Sequence, residues 1–218
     1  MTIAPRSQIL IVDDHAVVRA GLTSLLNVQP DIEVVAAVGT VTEALAHIRT
    51  RMFELIILDV GLPGKSGWDL LKTLRTLDTP SPPVLILSAQ REEDYAVQAL
   101  RLGAAGYLSK DAAAENLVLA VRRILGGGRY ISPEVAEHMA GALLSGESAL
   151  QPHERLAPRE FQVLLMIARG RALVDIAREL NVSPKTVTSW RSRILEKLAV
   201  DSNADLVRYC LQRELISA

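Results

Sequence analysis

The sequence predicts a doubly wound α/β domain on a five-stranded parallel sheet, followed by a smaller all-α domain of four helices. Three observations carry this reading. Short apolar runs recur through the first 128 residues with no polar alternation inside them, helical patterns lie between the runs, and from Leu156 onward no strand signal survives. Apolar runs of this kind belong to strands covered on both faces, as in parallel sheets.

Taken in order, Ile9 to Val12 is the first strand, and Val17, Ala20, Gly21, Leu22, Leu25 and Leu26 have the three-and-four spacing of the helix that follows. Ile32 to Val38 and Leu55 to Leu58 are the second and third strands, and Leu70, Leu71 and Leu74 mark a helix after the third. Val84 to Leu87 and Ala105 to Leu108 complete the sheet, and Gly126-Gly127-Gly128 ends the last helix of this domain. Ser132 then reads as a helix cap with Pro133 in the first turn, giving one short helix to about Leu144 before linker composition from Ser145 to Pro152. Helices are expected at 158–168, 173–180, 184–198 and 203–213. The domains are therefore placed at 1–128 and 156–218, with 129–155 a linker containing one helix.

Composition narrows the function. With 49% hydrophobic and 22% charged residues the chain buries proper cores, and its formal charge of −1 makes it no polycation. The charge is uneven: residues 156–218 carry 10 basic against 7 acidic side chains, whereas residues 1–128 carry 12 against 14. Only the C-terminal domain suits a polyanionic partner. The single cysteine, Cys210, excludes an intrachain disulfide and reads as a small apolar residue on a helix. With no signal peptide and no apolar run long enough for a membrane span, a soluble cytoplasmic protein is expected.

Polar residues collect where the strands end. Asp13 and Asp14 follow the first run, Asp59 the third, Ser88 the fourth, and Lys110 lies just past the fifth. In an open parallel sheet these carboxyl ends line the ligand crevice. Clustered carboxylates raise one another's pKa unless a cation shares the site, and a hard divalent ion such as Mg²⁺, held by oxygens, resolves the repulsion. Asp59 is then a nucleophile able to form an acyl phosphate, with the Lys110 ammonium offsetting charge on the transferring oxygens. Gly64-Lys65-Ser66 is similar to the end of a phosphate-binding P-loop, but Asp59 stands where that motif needs its first glycine.

These five positions, together with Gly-Ala-Ala-Gly-Tyr-Leu-Ser-Lys-Asp at 103–111, resemble the receiver domain of bacterial two-component response regulators over roughly residues 7–128. The resemblance implies a flavodoxin-like sheet of order 2-1-3-4-5. It also implies Mg²⁺ bound by Asp14, Asp59 and the backbone carbonyl of Gly61, with Asp13 supporting from behind. Asp59 would accept phosphate from a cognate histidine kinase, Lys110 would contact the phosphoryl group, and Ser88 and Tyr107 would turn inward together as a switch. Gly61 replaces a larger side chain usual there, and with Gln90 it is expected to alter access of water to the acyl phosphate.

In the basic tail, Ile176, Ala177, Leu180 and Asn181-Val182-Ser183-Pro184 describe a helix, a tight turn and a second helix. Asn181 suits a left-handed helix end, Ser183 a cap and Pro184 a first turn. At about 100° per residue the second helix divides. Val187, Ile194, Leu195 and Leu198 form one stripe, and Lys185, Thr188, Ser189, Ser192 and Arg193 point away from it, with Trp190 and Arg191 on the flanks. A polar, basic face without carboxylates for three turns suits a DNA major groove. Pro158-Arg159-Glu160, Ala168-Arg169-Gly170, Ile176-Ala177, Ser183 to Val187 and Ile194 to Leu198 are similar to the LuxR-type helix-turn-helix, and with the receiver they match the NarL/FixJ class of transcriptional regulators.

That resemblance implies Lys185, Thr186, Thr188, Ser189, Arg191, Ser192, Arg193 and Lys197 as DNA-contacting residues, and 203–213 as a dimerising helix. The implied partners are the kinase, double-stranded DNA, a homodimer on that DNA and, as a further candidate, RNA polymerase; no membrane is implied. The unphosphorylated receiver would cover the recognition helix. Ala157 stands in place of a capping threonine, Leu173-Val174 in place of a polar pair that commonly includes a lysine, Thr188 in place of a lysine, and Trp190 in place of a His or Tyr. Weaker non-specific DNA affinity is expected. No general acid or substrate cap is present, so no enzyme acting on an outside substrate is expected beyond the receiver's own phosphorylation and dephosphorylation. The alternative reading is a signalling adaptor whose C-terminal domain dimerises.

Overall fold

A computed structural model describes residues 6–62, 66–76, 81–89, 92–144, 151–213 and 215–216, and the chain divides into two compact units, Met1–Ala140 and Gly141–Ala218. Gly64, Lys65, Gln90 and the stretch 145–150 lie outside the described residues.

The first unit contains β1 (Ser7–Val12), α1 (Ala16–Asn27), β2 (Ile32–Val38), α2 (Val41–Thr50), β3 (Leu55–Asp59), α3 (Gly67–Arg75), β4 (Val84–Ser88), α4 (Glu92–Arg101), β5 (Gly106–Ser109) and α5 (Ala113–Leu125). The five strands are all parallel in the order β2-β1-β3-β4-β5. β3 and β4 are buried at every position, which is why their sequences show no alternation. The pleat still sorts them. Ile9, Ile11, Leu55, Ile57, Leu85 and Leu87 pack with Leu22 and Leu26 of α1 and Leu117, Val121 and Ile124 of α5. By the two-residue period of a strand, Leu10, Ile56, Ile86 and Ser88 face the other side of the sheet. There Trp68 of α3 and Tyr95 of α4 stack at 6.3 Å, each about 1% exposed.

The local signals set the helix ends. Thr40 and Ser66 each cap a helix with a reciprocal capping box, to Glu43 and Asp69. Gly67 opens α3 against the end of β3, so closely that a Cβ there would lie 2.2 Å from the Asp59 carbonyl oxygen. α6 (Pro133–Leu144) begins where Ser132 and Pro133 predict it.

The second unit adds a short 3-10 turn at Pro152–Arg155, which the sequence reading did not anticipate, then α7 (Pro158–Ala168), α8 (Leu173–Glu179), α9 (Pro184–Leu198) and α10 (Asn203–Gln212). α7 is buried almost throughout, and Val187, Ile194 and Leu198 of α9 and Leu206 and Cys210 of α10 pack in the same core region of the unit. Leu195, placed by periodicity in the α9 stripe, is only half-buried, since it lies at the stripe's edge. Asn181 takes the left-handed conformation at φ 51°, and Ser183 accepts the Thr186 N–H at 3.1 Å. No helix among the described residues is long and apolar enough to cross a membrane.

Cys210 has no exposed surface, and burial pushes its thiol up to about 12. Native protein is therefore expected to resist thiol-reactive dyes at pH 8 and to label fully once denatured; rapid labelling of the native chain would show that α10 does not seat as described.

Candidate functional site

Sheet register brings the expected residues of the first unit together. Val12 pairs with Leu58, Asp59 with Leu87, and Ser88 with Ser109. Asp13, Asp59, Ser88 and Lys110 thus emerge side by side at one end of four adjacent strands. Asp13, Asp59 and Ser88 are 1%, 4% and 2% exposed. Asp14, the next residue along, is more open.

One ammonium organises the buried pair. Lys110 Nζ donates to Asp59 Oδ2 at 2.6 Å and lies 2.7 Å from Asp13 Oδ2. The other Asp59 oxygen accepts the Gly61 N–H at 2.8 Å. Burial raises the Asp59 carboxyl above its usual range; the Lys110 and Gly61 hydrogen bonds pull it back, and the Asp13 charge adds to the rise. Burial works to lower the Lys110 pKa, but the hydrogen bonds and charges of Asp13 and Asp59 outweigh it and the net direction is upward. The pocket therefore holds the Asp59 carboxyl group against an amine whose charged form is favoured.

Gly61 puts no side chain over the nucleophile. A Cβ at this position would stand 3.3 Å from Asp59 Oδ1, so any larger residue would overhang the carboxylate. Tyr107 is fully buried. It pairs with Ile86 across β4 and β5, and the pleat puts it on the same sheet face as Ser88, one step diagonally away. Ser88 and Tyr107, the pair expected to act as a switch, are both buried in this structure.

Two residues here were missed by sequence reasoning. His15 turns back over the acidic doublet: its N–H donates to Asp13 Oδ1 at 2.8 Å, and its Nδ1 lies 2.7 Å from Asp14 Oδ1. Arg19, one turn into α1, donates to the Asp13 carbonyl oxygen at 2.6 Å and braces the end of β1. Position beside the doublet was the available signal for His15; nothing local marks Arg19.

The donor set fits a hard divalent ion. Ligand atoms of Asp13, Asp14, His15 and Asp59 all lie within 4.8 Å of one another, three of the four being carboxylate oxygens.

In the second unit the exposed face of α9 holds Lys185, Thr188, Ser189, Ser192 and Arg193, as periodicity predicts. Thr188 and Ser192 fold their hydroxyls back onto the Pro184 and Thr188 carbonyls at 3.0 and 3.1 Å, leaving their lone pairs outward. Thr186 is half-buried and shares a hydrogen bond with the capping Ser183 hydroxyl at 2.8 Å. Arg191 is held by Asn203 of α10 at 2.6 Å.

Lys197 has a partner within its own unit. Sequence reasoning sets it among the DNA-contacting cations, but its ammonium lies 2.5 Å from Glu160 Oε2, a carboxylate of α7 with only 4% side-chain exposure. The same oxygen accepts the Ala157 N–H at 2.8 Å. Ala157 has no side-chain oxygen, so only this return half of a capping box exists. A buried carboxylate demands a cation, and Lys197 answers it. Glu160 itself could have been found as the lone acidic residue on a largely apolar helix.

Comparison with known proteins agrees with this division. The family model described as "Response regulator receiver domain" matches residues 9–122, and that described as "Bacterial regulatory proteins, luxR family" matches residues 154–210. The chain is 33% identical over 210 residues to the response regulator UvrY of Escherichia coli K12, covering 96% of both. It is 35% identical to the oxygen regulatory protein NreC of Staphylococcus carnosus, covering 96% of this chain and 99% of that one. A solved structure of the Salmonella typhimurium response regulator RcsB, 25% identical, covers 94% of this chain and 98% of its own with a TM-score of 0.58. RcsB has also been solved as two dimers bound to two parallel DNAs.

Lys197→Met is expected to cost the second unit about 1–3 kcal/mol in a denaturant titration, the range for stranding a buried polar partner. The slope of log affinity for DNA against log salt should stay unchanged. A flattening by about 0.9 would instead mark Lys197 as a phosphate contact.

Proposed function

From the premise that this chain belongs to the two-component response-regulator family, a receiver joined to a LuxR-type DNA-binding domain in a transcription regulator, we propose that phosphorylation of Asp59 by a histidine kinase controls DNA binding through α9. The observation that carries this is the Lys110 ammonium bridging Asp13 and Asp59, with no side chain at Gly61 to overhang the Asp59 carboxylate. An Asp59 oxygen attacks the phosphorus of a phosphohistidine, forming an O–P bond as the P–N bond breaks and the imidazole leaves. Lys110 offsets charge on the transferring oxygens, and the Gly61 N–H holds the carboxylate in line. Asp14 and Asp59, with the Gly61 carbonyl and with Asp13 behind them, would hold Mg²⁺. When bound, the ion would neutralise the phosphoryl oxygens and relieve the repulsion between carboxylates. Ser88 and Tyr107 act as the switch pair. Gly61 lets water reach the acyl phosphate.

On the DNA side, Lys185 and Arg193 with Thr188, Ser189 and Ser192 supply the groove-facing set, and Arg191 the flank. Leu173-Val174, with Val174 57% exposed at the start of α8, stands in place of the polar pair that the resemblance implies commonly includes a lysine, so affinity draws on fewer phosphate contacts. A homodimer on a two-fold DNA site, in the cytoplasm, completes the reading; RcsB on DNA supports the dimer.

Small phosphodonors with Mg²⁺ should label the wild-type chain on Asp59 and leave Asp59→Asn unlabelled, read by intact mass; full labelling of that variant would refute the assignment. Lys110→Ala should still bind Mg²⁺ yet fail to raise DNA affinity when phosphorylated.

A fragment from about residue 150 should bind DNA with no phosphodonor and lose affinity steeply as salt rises. In a footprint at one stated salt, the unphosphorylated full chain should bind the same site more weakly than the fragment. Equal binding would mean that the receiver does not restrain the DNA-binding domain.

A further inference from the structure

β5 is the last strand of the sheet, and an edge strand exposes backbone groups that need covering. The chain covers it with the start of its own linker. Tyr130 N–H donates to the Ala105 carbonyl at 3.0 Å, and the Tyr107 N–H donates to the Tyr130 carbonyl at 3.1 Å. Residue 130 thus makes a parallel bridge to Gly106, between the two residues it bonds, Ala105 and Tyr107. The approach is too close for a side chain: a Cβ at Gly106 would lie 2.7 Å from the Tyr130 carbonyl oxygen. The Tyr130 ring is 7% exposed within the core shared by α1 and α5.

The position of this bridge matters. Tyr107, whose N–H it takes, is a switch residue. Lys110, three residues on, has its N–H on the Ser88 carbonyl at 2.7 Å and its ammonium on Asp59. On the other side only Ile131 separates Tyr130 from Ser132, whose carbonyl accepts the Ala136 N–H in the first turn of α6 at 3.0 Å. Any shift of β5 therefore reaches α6 through two backbone hydrogen bonds, without passing along α5.

We propose that Tyr130 is a latch: its pairing with β5 holds the linker against the receiver while Asp59 is unmodified, and phosphorylation, by drawing Lys110 and β5 toward the phosphoryl group, releases it. This deepens the proposed function and rests on Asp59 as the phosphoacceptor. A ligand shifts a two-state element only through a difference in interaction between its states, and here that difference is the strain placed on the Tyr107–Tyr130 and Ala105–Tyr130 bonds.

The test uses the full chain and two readouts. With phosphodonor and Mg²⁺, hydrogen exchange at the Tyr107 and Tyr130 amides should quicken by about tenfold or more. Trypsin cleavage after the exposed Arg129 should quicken in parallel; Asp59→Asn should change in neither. Unchanged exchange and cleavage in a chain whose mass shows one added phosphoryl group would overturn the latch. If no phosphoryl group is added, the Asp59 reading fails, and the latch is judged on Gly106→Ala alone. That variant should release the linker without phosphodonor, and a folded Gly106→Ala chain with wild-type exchange and cleavage would overturn the latch. Where it does not fold, Tyr130→Pro, which removes the linker's N–H donor and its ring while leaving β5 intact, is read by exchange at the Tyr107 amide alone, since proline carries no amide hydrogen and blocks trypsin at Arg129; a folded Tyr130→Pro chain with wild-type exchange at Tyr107 would overturn the latch.

Discussion

Lys110 Nζ lies 2.6 Å from one buried carboxylate and 2.7 Å from another, and most of the first unit can be understood as a device for putting it there. Two carboxylates side by side at the end of a fully buried sheet would repel each other and lose their hydration, and either effect alone would drive a proton onto one of them. A cation between them opposes this, provided that it is delivered without water. The parallel register delivers it: β3 and β4 lie between the strand that ends at Asp13 and the strand that precedes Lys110, so the lysine stem crosses the ends of the intervening strands to reach both acids. The same ammonium that lies between the two acids is, in the proposed mechanism, the group that meets the incoming phosphoryl oxygens. Structural and chemical roles coincide in one residue.

The second unit repeats the logic with the opposite sign at its centre. Glu160 is a buried carboxylate that accepts from the Ala157 N–H and from Lys197, so one acid ties the start of α7 to the last turn of α9. Removing one partner of such a pair costs more than the pair itself contributes, because the other is left charged in a dry place. Fixing the C-terminal end of α9 to α7 leaves the N-terminal two-thirds of the helix, with Lys185, Thr188, Ser189 and Ser192, to face outward on a rigid base.

Where the sequence was legible, the physics was local or periodic. Strands buried on both faces write themselves as unbroken apolar runs, and the acidic and basic residues that follow them mark the functional edge of the sheet. Asn181, Ser183 and Pro184 specify a turn within four residues. What stayed hidden needs a partner far along the chain. Lys197 looks like one more cation on a basic helix until the fold brings Glu160 to it from 37 residues away. Arg191 is likewise engaged by Asn203, the next helix's first residue. The role of Gly106 is invisible without Tyr130, 24 residues on, because a glycine required by close approach looks no different from one required by a turn.

That distinction between local and long-range information bears on how the two units communicate. A phosphoryl group adds about −1.5 to −2 charges to the pocket, but water and salt screen a charge within about 8–10 Å, so its field alone does not reach a second domain. The signal has to be a displacement. Displacements die out in loops and survive in elements that pack in one of two ways, and close-packed interiors favour discrete rearrangement over gradual bending. In the proposed reading the elements next to Asp59 that carry the signal are the Ser88 and Tyr107 side chains on one face of β4 and β5, and the backbone of β5 itself. Both faces of β5 are occupied by helices, which leaves its outer edge as the direction in which a small shift meets least resistance. The chain has placed the first residues of its linker there.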